Sequence, residues 1–102
     1  RVFLRARAHP WEPAGNWVVE GLVRRLLKGD AEAEKCLAIY SVCIMPMANK
    51  DGVERGGTRF NLGGWDLNRK WDKPADPRYA PENAALETWL ETEIQAGRRP
   101  SL

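Results

Sequence analysis

Residues 37–47 read Leu37-Ala38-Ile39-Tyr40-Ser41-Val42-Cys43-Ile44-Met45-Pro46-Met47, a nearly continuous apolar run. A strand with one wet face alternates apolar and polar side chains. An unbroken run reads instead as a strand covered on both faces, as in a parallel sheet. Upstream, Val2-Phe3-Leu4-Arg5-Ala6-Arg7-Ala8 alternates weakly and is bounded by Pro10, so it reads as a second buried strand. Between the two, Trp17, Val18, Leu22, Val23, Leu26 and Leu27 recur at helical spacing, with Glu20, Arg24, Arg25 and Lys28 interleaved. The spacing predicts a helix over 14–28 that stops at Gly29, followed by a short turn from Asp30 to Glu34. Strand, helix and strand make a βαβ unit, with a right-handed crossover expected. The fold class is α/β.

Further along, Asn49-Lys50-Asp51-Gly52 reads as a turn, with Gly52 able to take a positive φ. Residues 53–80 carry Gly56, Gly57, Gly63, Gly64, Pro74 and Pro77 and show little periodicity, which predicts a long ordered loop. Such loops inside compact domains are usually functional. Pro81 opens a final helix carrying Leu86, Trp89, Leu90, Glu93 and Ile94, and Gly97 and Pro100 close it. Trp17 and Trp89 fall on apolar helical faces and are assigned to the core. Trp11, Trp65 and Trp71 lie beside the loops, where packing or the wall of a site are both open.

A chain of 102 residues holds one domain at most. The net charge is +2 and the basic residues are dispersed, so no nucleic-acid footprint stands out. No run approaches the roughly 18 consecutive apolar residues of a membrane helix. Cys36 and Cys43 do not make a disulfide framework and read as reduced, buried thiols. The chain starts at Arg1 and ends at Ser101-Leu102, and both ends read as cut. The oligomeric state is not legible.

Two segments carry chemistry. His9-Pro10-Trp11-Glu12 places two metal-ligand types three residues apart at a strand-to-helix junction. The plain alternative is a lone histidine beside a helix-entry glutamate. The second segment gathers Arg59, Asn61, Asp66, Asn68 and Arg69 into a glycine-rich stretch. Paired guanidinium groups with an amide can grip a carboxylate, and an arginine beside a carbonyl can stabilise an oxyanion. Alternatively, Arg59 and Arg69 are ion-pair partners of Asp66, Asp72 or Asp76. Asp66 could also orient His9, since metal-bound histidines commonly donate their other N–H to a carboxylate. Together the segments point to a zinc site beside a pocket for an anionic substrate. His9 is the only histidine, so histidines of this chain cannot complete a three-ligand site.

In order along the chain, the motifs are His9-Pro10-Trp11-Glu12, then Pro46-Met47-Ala48-Asn49-Lys50-Asp51-Gly52, then Arg59, then Asp66-Leu67-Asn68-Arg69-Lys70-Trp71. This series resembles the zinc carboxypeptidase family, the carboxypeptidase A-like metallopeptidases, nearest the bacterial and cytosolic branch. The resemblance covers nearly the whole chain. It implies part of a mixed-sheet catalytic domain over residues 1–102, incomplete at both ends. It implies Zn2+ held by His9 and Glu12, with Asp66 as the outer partner of His9. Arg59 is implied as the catalytic residue that stabilises the oxyanion. Asn68 and Arg69 are implied to bind the C-terminal carboxylate of a peptide or protein substrate. The implied activity is hydrolytic release of C-terminal residues by zinc-activated water.

Lys50 stands where the family usually has proline, a variation within the turn. The family's third ligand, a histidine on the strand after the helix that ends near Gly97, and its more distant general-base glutamate fall beyond Leu102. These 102 residues alone are therefore expected to be inactive and, with unpaired strand edges, prone to aggregate. Two other readings stay open: a non-catalytic domain that grips C-terminal carboxylates through Asn68 and Arg69, and an amidohydrolase or deacylase on the same scaffold. The free cysteines and the branch resemblance point to the cytoplasm, with no membrane or nucleic-acid partner.

Overall fold

The computed structural model describes residues 1–101. The elements run β1 (Val2–Arg5), α1 (Ala14–Leu27), α2 (Ala31–Ile39), β2 (Val42–Met45), α3 (Lys50–Glu54) and α4 (Pro81–Gln95). β1 and β2 pair in parallel, Val2 opposite Val42 through Arg5 opposite Met45. Parallel strands need a long crossover, and here it contains two helices, so the unit is βααβ. Among the described residues the sheet has these two strands alone.

The expected strand over 37–47 is corrected at its first half. Leu37, Ala38 and Ile39 finish α2, and Tyr40 is the extended residue that ends it. Asp30 caps this helix by accepting a hydrogen bond from the Ala33 N–H at 3.1 Å, so the cap opens two helical turns rather than a short turn. An apolar run cannot distinguish a helix end from a strand start when both pack on the same layer.

The strands are half-buried at every position rather than fully covered. On one face Val2, Leu4 and Val42 look toward Leu22, Leu26 and Cys36 of α1 and α2. On the other, Phe3, Cys43 and Met45 look toward Leu86 and Trp89 of α4, and the Phe3 and Trp89 rings stand 5.5 Å apart. Cys36 and Cys43 are free and half-buried, and they belong to opposite faces.

Trp17 is not in the core. It is 69% exposed, whereas Val19 on the same helix is buried. Two residues along an α-helix rotate a side chain by about 200°, so burying Val19 turns Trp17 outward. At the C-terminal end, buried Glu93 accepts hydrogen bonds from Arg1 and Arg98, and the Ser101 N–H donates to the Arg1 carbonyl. These contacts fix α4 against the start of β1. Among the described residues no helix is long and apolar enough to cross a membrane.

Candidate metal centre and substrate-binding loop

The chain leaves β1 at Ala6, whose N–H donates to the Met45 carbonyl. Arg7 then takes φ +58°, a left-handed conformation that turns the backbone sharply. Its side chain holds the turn it has made. Nε donates to the Pro10 carbonyl at 2.6 Å and Nη1 to Asn16 Oδ1 at 3.2 Å. The result aims the His9 ring into the protein, at 6% exposure, while the Glu12 side chain stays more than half exposed.

Both ring nitrogens of His9 face carboxylates. Nδ1 lies 3.0 Å from Glu12 Oε1, and Nε2 lies 2.9 Å from Asp66 Oδ1. Asp66 is shared further. Its Oδ1 accepts the Asn68 N–H at 2.9 Å and its Oδ2 accepts Arg59 Nε at 2.7 Å. Burial alone raises the Asp66 pKa, but the Asn68 amide, His9 and Arg59 outweigh it and hold the carboxyl at about 2. Asp66 is thus ionised and can only accept, which places a proton on His9 Nε2. In a neutral ring, Nδ1 then presents a lone pair to Glu12 Oε1, which is also an acceptor. Two acceptors 3.0 Å apart need a proton or a metal cation between them. One imidazole nitrogen and one carboxylate oxygen are donors that zinc takes, so these two residues fit it. Among the described residues, no group of three His, Cys, Asp or Glu side chains is arranged to hold a metal ion.

Arg59 reaches Asp66 through Nε alone, and its side chain is 41% exposed. Its two terminal nitrogens have no hydrogen-bond partner among the described residues. Asn68 and Arg69 are both exposed. Arg69 Nη1 donates to the Asn68 carbonyl at 2.8 Å. The two side chains open in different directions. Asn68 lines a cleft of about 440 Å³ together with Glu12, Arg5 and Arg7. Arg69 lines another, of about 400 Å³, together with Trp65, Lys70 and Asn83. The structure therefore gathers His9, Glu12, Asp66, Arg59 and Asn68 and leaves Arg69 facing away from Glu12.

The loop that presents Asp66 is built on buried amides that the sequence reading did not single out for this task. Asn61 Oδ1 accepts the Trp65 N–H, and its Nδ2 donates to the Tyr79 carbonyl and to Glu82. Asn83 Nδ2 and Arg5 Nη1 both donate to the Leu67 carbonyl. Burial lowers the Arg5 pKa below its ordinary value, with Glu82 pulling the other way, and its Nε is buried without a partner. Trp11 is 70% exposed, whereas Trp71 lies 5.1 Å under the Arg5 guanidinium and Trp65 stacks on Tyr79. Both rings thus pack on neighbours, while Trp65 also walls the Arg69 cleft and Trp71 stays 49% exposed.

Comparison with known proteins gives the family. The sequence model of the zinc carboxypeptidase family matches residues 1–96. Cytosolic carboxypeptidase 6 of Caenorhabditis elegans is 43% identical over 75 residues, which are 74% of this chain and 16% of that protein. Human cytosolic carboxypeptidase 1 is 42% identical over 74 residues, 72% of this chain and 6% of that protein. The crystal structure of a metallo-carboxypeptidase from Burkholderia cenocepacia superposes with a TM-score of 0.81 at 38% identity, covering 89% of this chain and 25% of that one. This chain belongs to the zinc carboxypeptidase family. It spans a quarter or less of the length of the relatives it matches.

Proposed function

We propose that the polypeptide carrying this chain is a zinc metallocarboxypeptidase that removes C-terminal residues from peptides or proteins. The observation that carries this reading is the single hydrogen-bonded cluster in which Asp66 joins His9 to Arg59, with Glu12 at the other nitrogen of His9. His9 and Glu12 are two of the zinc ligands, and residues outside this chain supply the third and the general base. Zinc, when bound, supplies a Lewis acid that makes water nucleophilic near neutral pH and polarises a carbonyl. The chain's own groups do the rest. Asp66 keeps the His9 proton on Nε2, so that Nδ1 stays available as a ligand. Arg59, anchored through Nε, offers its terminal N–H groups to the carbonyl oxygen as negative charge develops there. Asn68 and Arg69 take the substrate's terminal carboxylate. For Arg69 this requires its side chain to turn from its present cleft toward Glu12.

The names of the relatives support a cytoplasmic setting and a peptide or protein substrate. The 102-residue chain by itself is proposed to be inactive, since among the described residues no three His, Cys, Asp or Glu side chains are arranged to hold a metal ion. The test compares the full polypeptide on a peptide with a free C-terminus and on its C-terminally amidated twin. Zinc-dependent release of the last residue from the free form alone supports the reading, as does its loss in Arg69→Ala. Equal cleavage of the amidated peptide, or of a small acyl-amino acid in preference to either, would sink it in favour of an amidohydrolase or deacylase. Carboxylate binding without turnover would leave a binding domain.

A further inference from the structure

The ten-residue segment 49–58 wraps the His9–Glu12 turn, meeting the chain at Arg7, Ala8, Pro10 and Trp11. Asn49 is fully buried. Its N–H donates to the Arg7 carbonyl at 3.0 Å, and its Nδ2 donates to the Ala8 carbonyl at 3.2 Å, directly before His9. Its Oδ1 accepts the Gly52 N–H at 3.1 Å, which caps α3 and seats Gly52 under the turn. Gly52 could take a positive φ, but the positive-φ glycines are Gly29, Gly56, Gly64 and Gly97. Crowding explains Gly52. A Cβ there would stand 2.6 Å from Pro10 Cγ and 2.5 Å from Asn49 Oδ1. Pro10 lies between the two ligands. Beyond it, the Trp11 N–H donates to the Thr58 carbonyl, and the next residue is Arg59.

We propose that Asn49 and Gly52 are positioning residues for the zinc ligands: they set the backbone of residues 8–10 and thereby the mutual placement of His9 and Glu12. This rests on the zinc reading above. Neither residue makes a hydrogen bond to a ligand side chain. Their contacts are spent on the two peptide units and the one ring that fix where His9 and Glu12 begin. A methyl group at position 52 must push Pro10 away, since the buried Asn49 on its other side has no room to yield. Asn49→Asp keeps the acceptor for Gly52 but replaces the donor to Ala8 with a second acceptor, which repels that carbonyl.

The test titrates cobalt(II) into the full polypeptide and into Gly52→Ala and Asn49→Asp, reading the dissociation constant and the visible absorption band, which reports ligand geometry. Far-UV circular dichroism and the melting temperature report the fold. The expected result is a loss of cobalt affinity of about tenfold or more, the range seen when residues that orient metal ligands are changed. The absorption band should alter while the circular dichroism does not. Unchanged affinity and spectrum in both folded variants overturn the proposal. If Gly52→Ala does not fold, Asn49→Asp decides. If neither folds, the two residues serve the fold at large and the proposal fails. A parent protein that binds no cobalt removes the zinc reading itself, a result distinct from the variants' loss.

Discussion

The loops around His9 and Asp66 and the α1–α2 layer are built on different terms. Around the site, Asn49, Leu67 and Asn83 are nearly or fully buried, side-chain amides satisfy backbone groups far away in sequence, and one shared carboxylate joins the side chains of His9 and Arg59. In the α1–α2 layer, Trp17, Val18, Leu27 and Ile39 are all at least 69% exposed, and beyond Asn16 at the start of α1 the polar side-chain contacts are short-range pairs such as Arg25 with Asp30 and Glu32. A region that must hold side chains in one geometry uses directional contacts. A region that covers a sheet face needs only apolar area. The difference implies that equal-sized perturbations in the two regions have unequal effects.

The largest effect is expected at Leu67, which is fully buried beside Asp66. Leu67→Ala should cost about 2–5 kcal/mol in urea unfolding, the range for a large side chain removed from a packed position. A loss as small as that at an exposed residue would dissolve the comparison. Asp66→Ala should lower the zinc affinity of the full polypeptide by about 10- to 100-fold, measured by competition with a chromophoric chelator.

Asp30 sharpens the comparison from the other side. The Ala33 N–H and then Arg25 hold its pKa below the ordinary value. A carboxyl with a depressed folded pKa contributes stability above its unfolded pKa and loses it as pH falls through the folded one. Acidification below about pH 4 should therefore reduce the α2 contribution to circular dichroism at 222 nm. In Asp30→Asn, which caps without titrating, that step should be smaller. The smallest effect is expected at Trp17. Trp17→Gln should change stability by no more than about 0.5 kcal/mol, because its ring is mostly in water already. A larger loss would show that α1 uses its outer face.

The helices that announce themselves chemically were legible. α1 follows its apolar period to within a residue of the expected end, and α4 begins at Pro81 as a first-turn proline requires. The α2–β2 boundary was hidden, because Leu37–Ile39 and Val42–Met45 are equally apolar and only Tyr40 and Ser41 separate them. α3 was hidden because five residues are too few to show a period. Motif order made the His9, Glu12, Arg59 and Asp66 neighbourhood accessible before any coordinates. The buried roles of Asn49, Asn61 and Asn83 were not, since their partners Ala8, Tyr79 and Leu67 are backbone carbonyls, which no side-chain pattern encodes. The left-handed turn at Arg7 was equally silent, as arginine carries no turn signal.

The parallel pairing of β1 with β2 also has a kinetic side. His9 meets Asp66 across 57 residues, Ala8 meets Asn49 across 41, and Arg5 meets Asn83 across 78. Each such contact closes a long loop before it gains anything in return, and chains rich in distant pairings fold slowly. α1 can form early from neighbouring residues, whereas the cluster that unites His9 with Asp66 waits for the sheet. In a refolding time course, the ability to capture a metal ion should therefore trail the helical signal, making metal uptake a clock for the last stage of folding rather than a guide to its first.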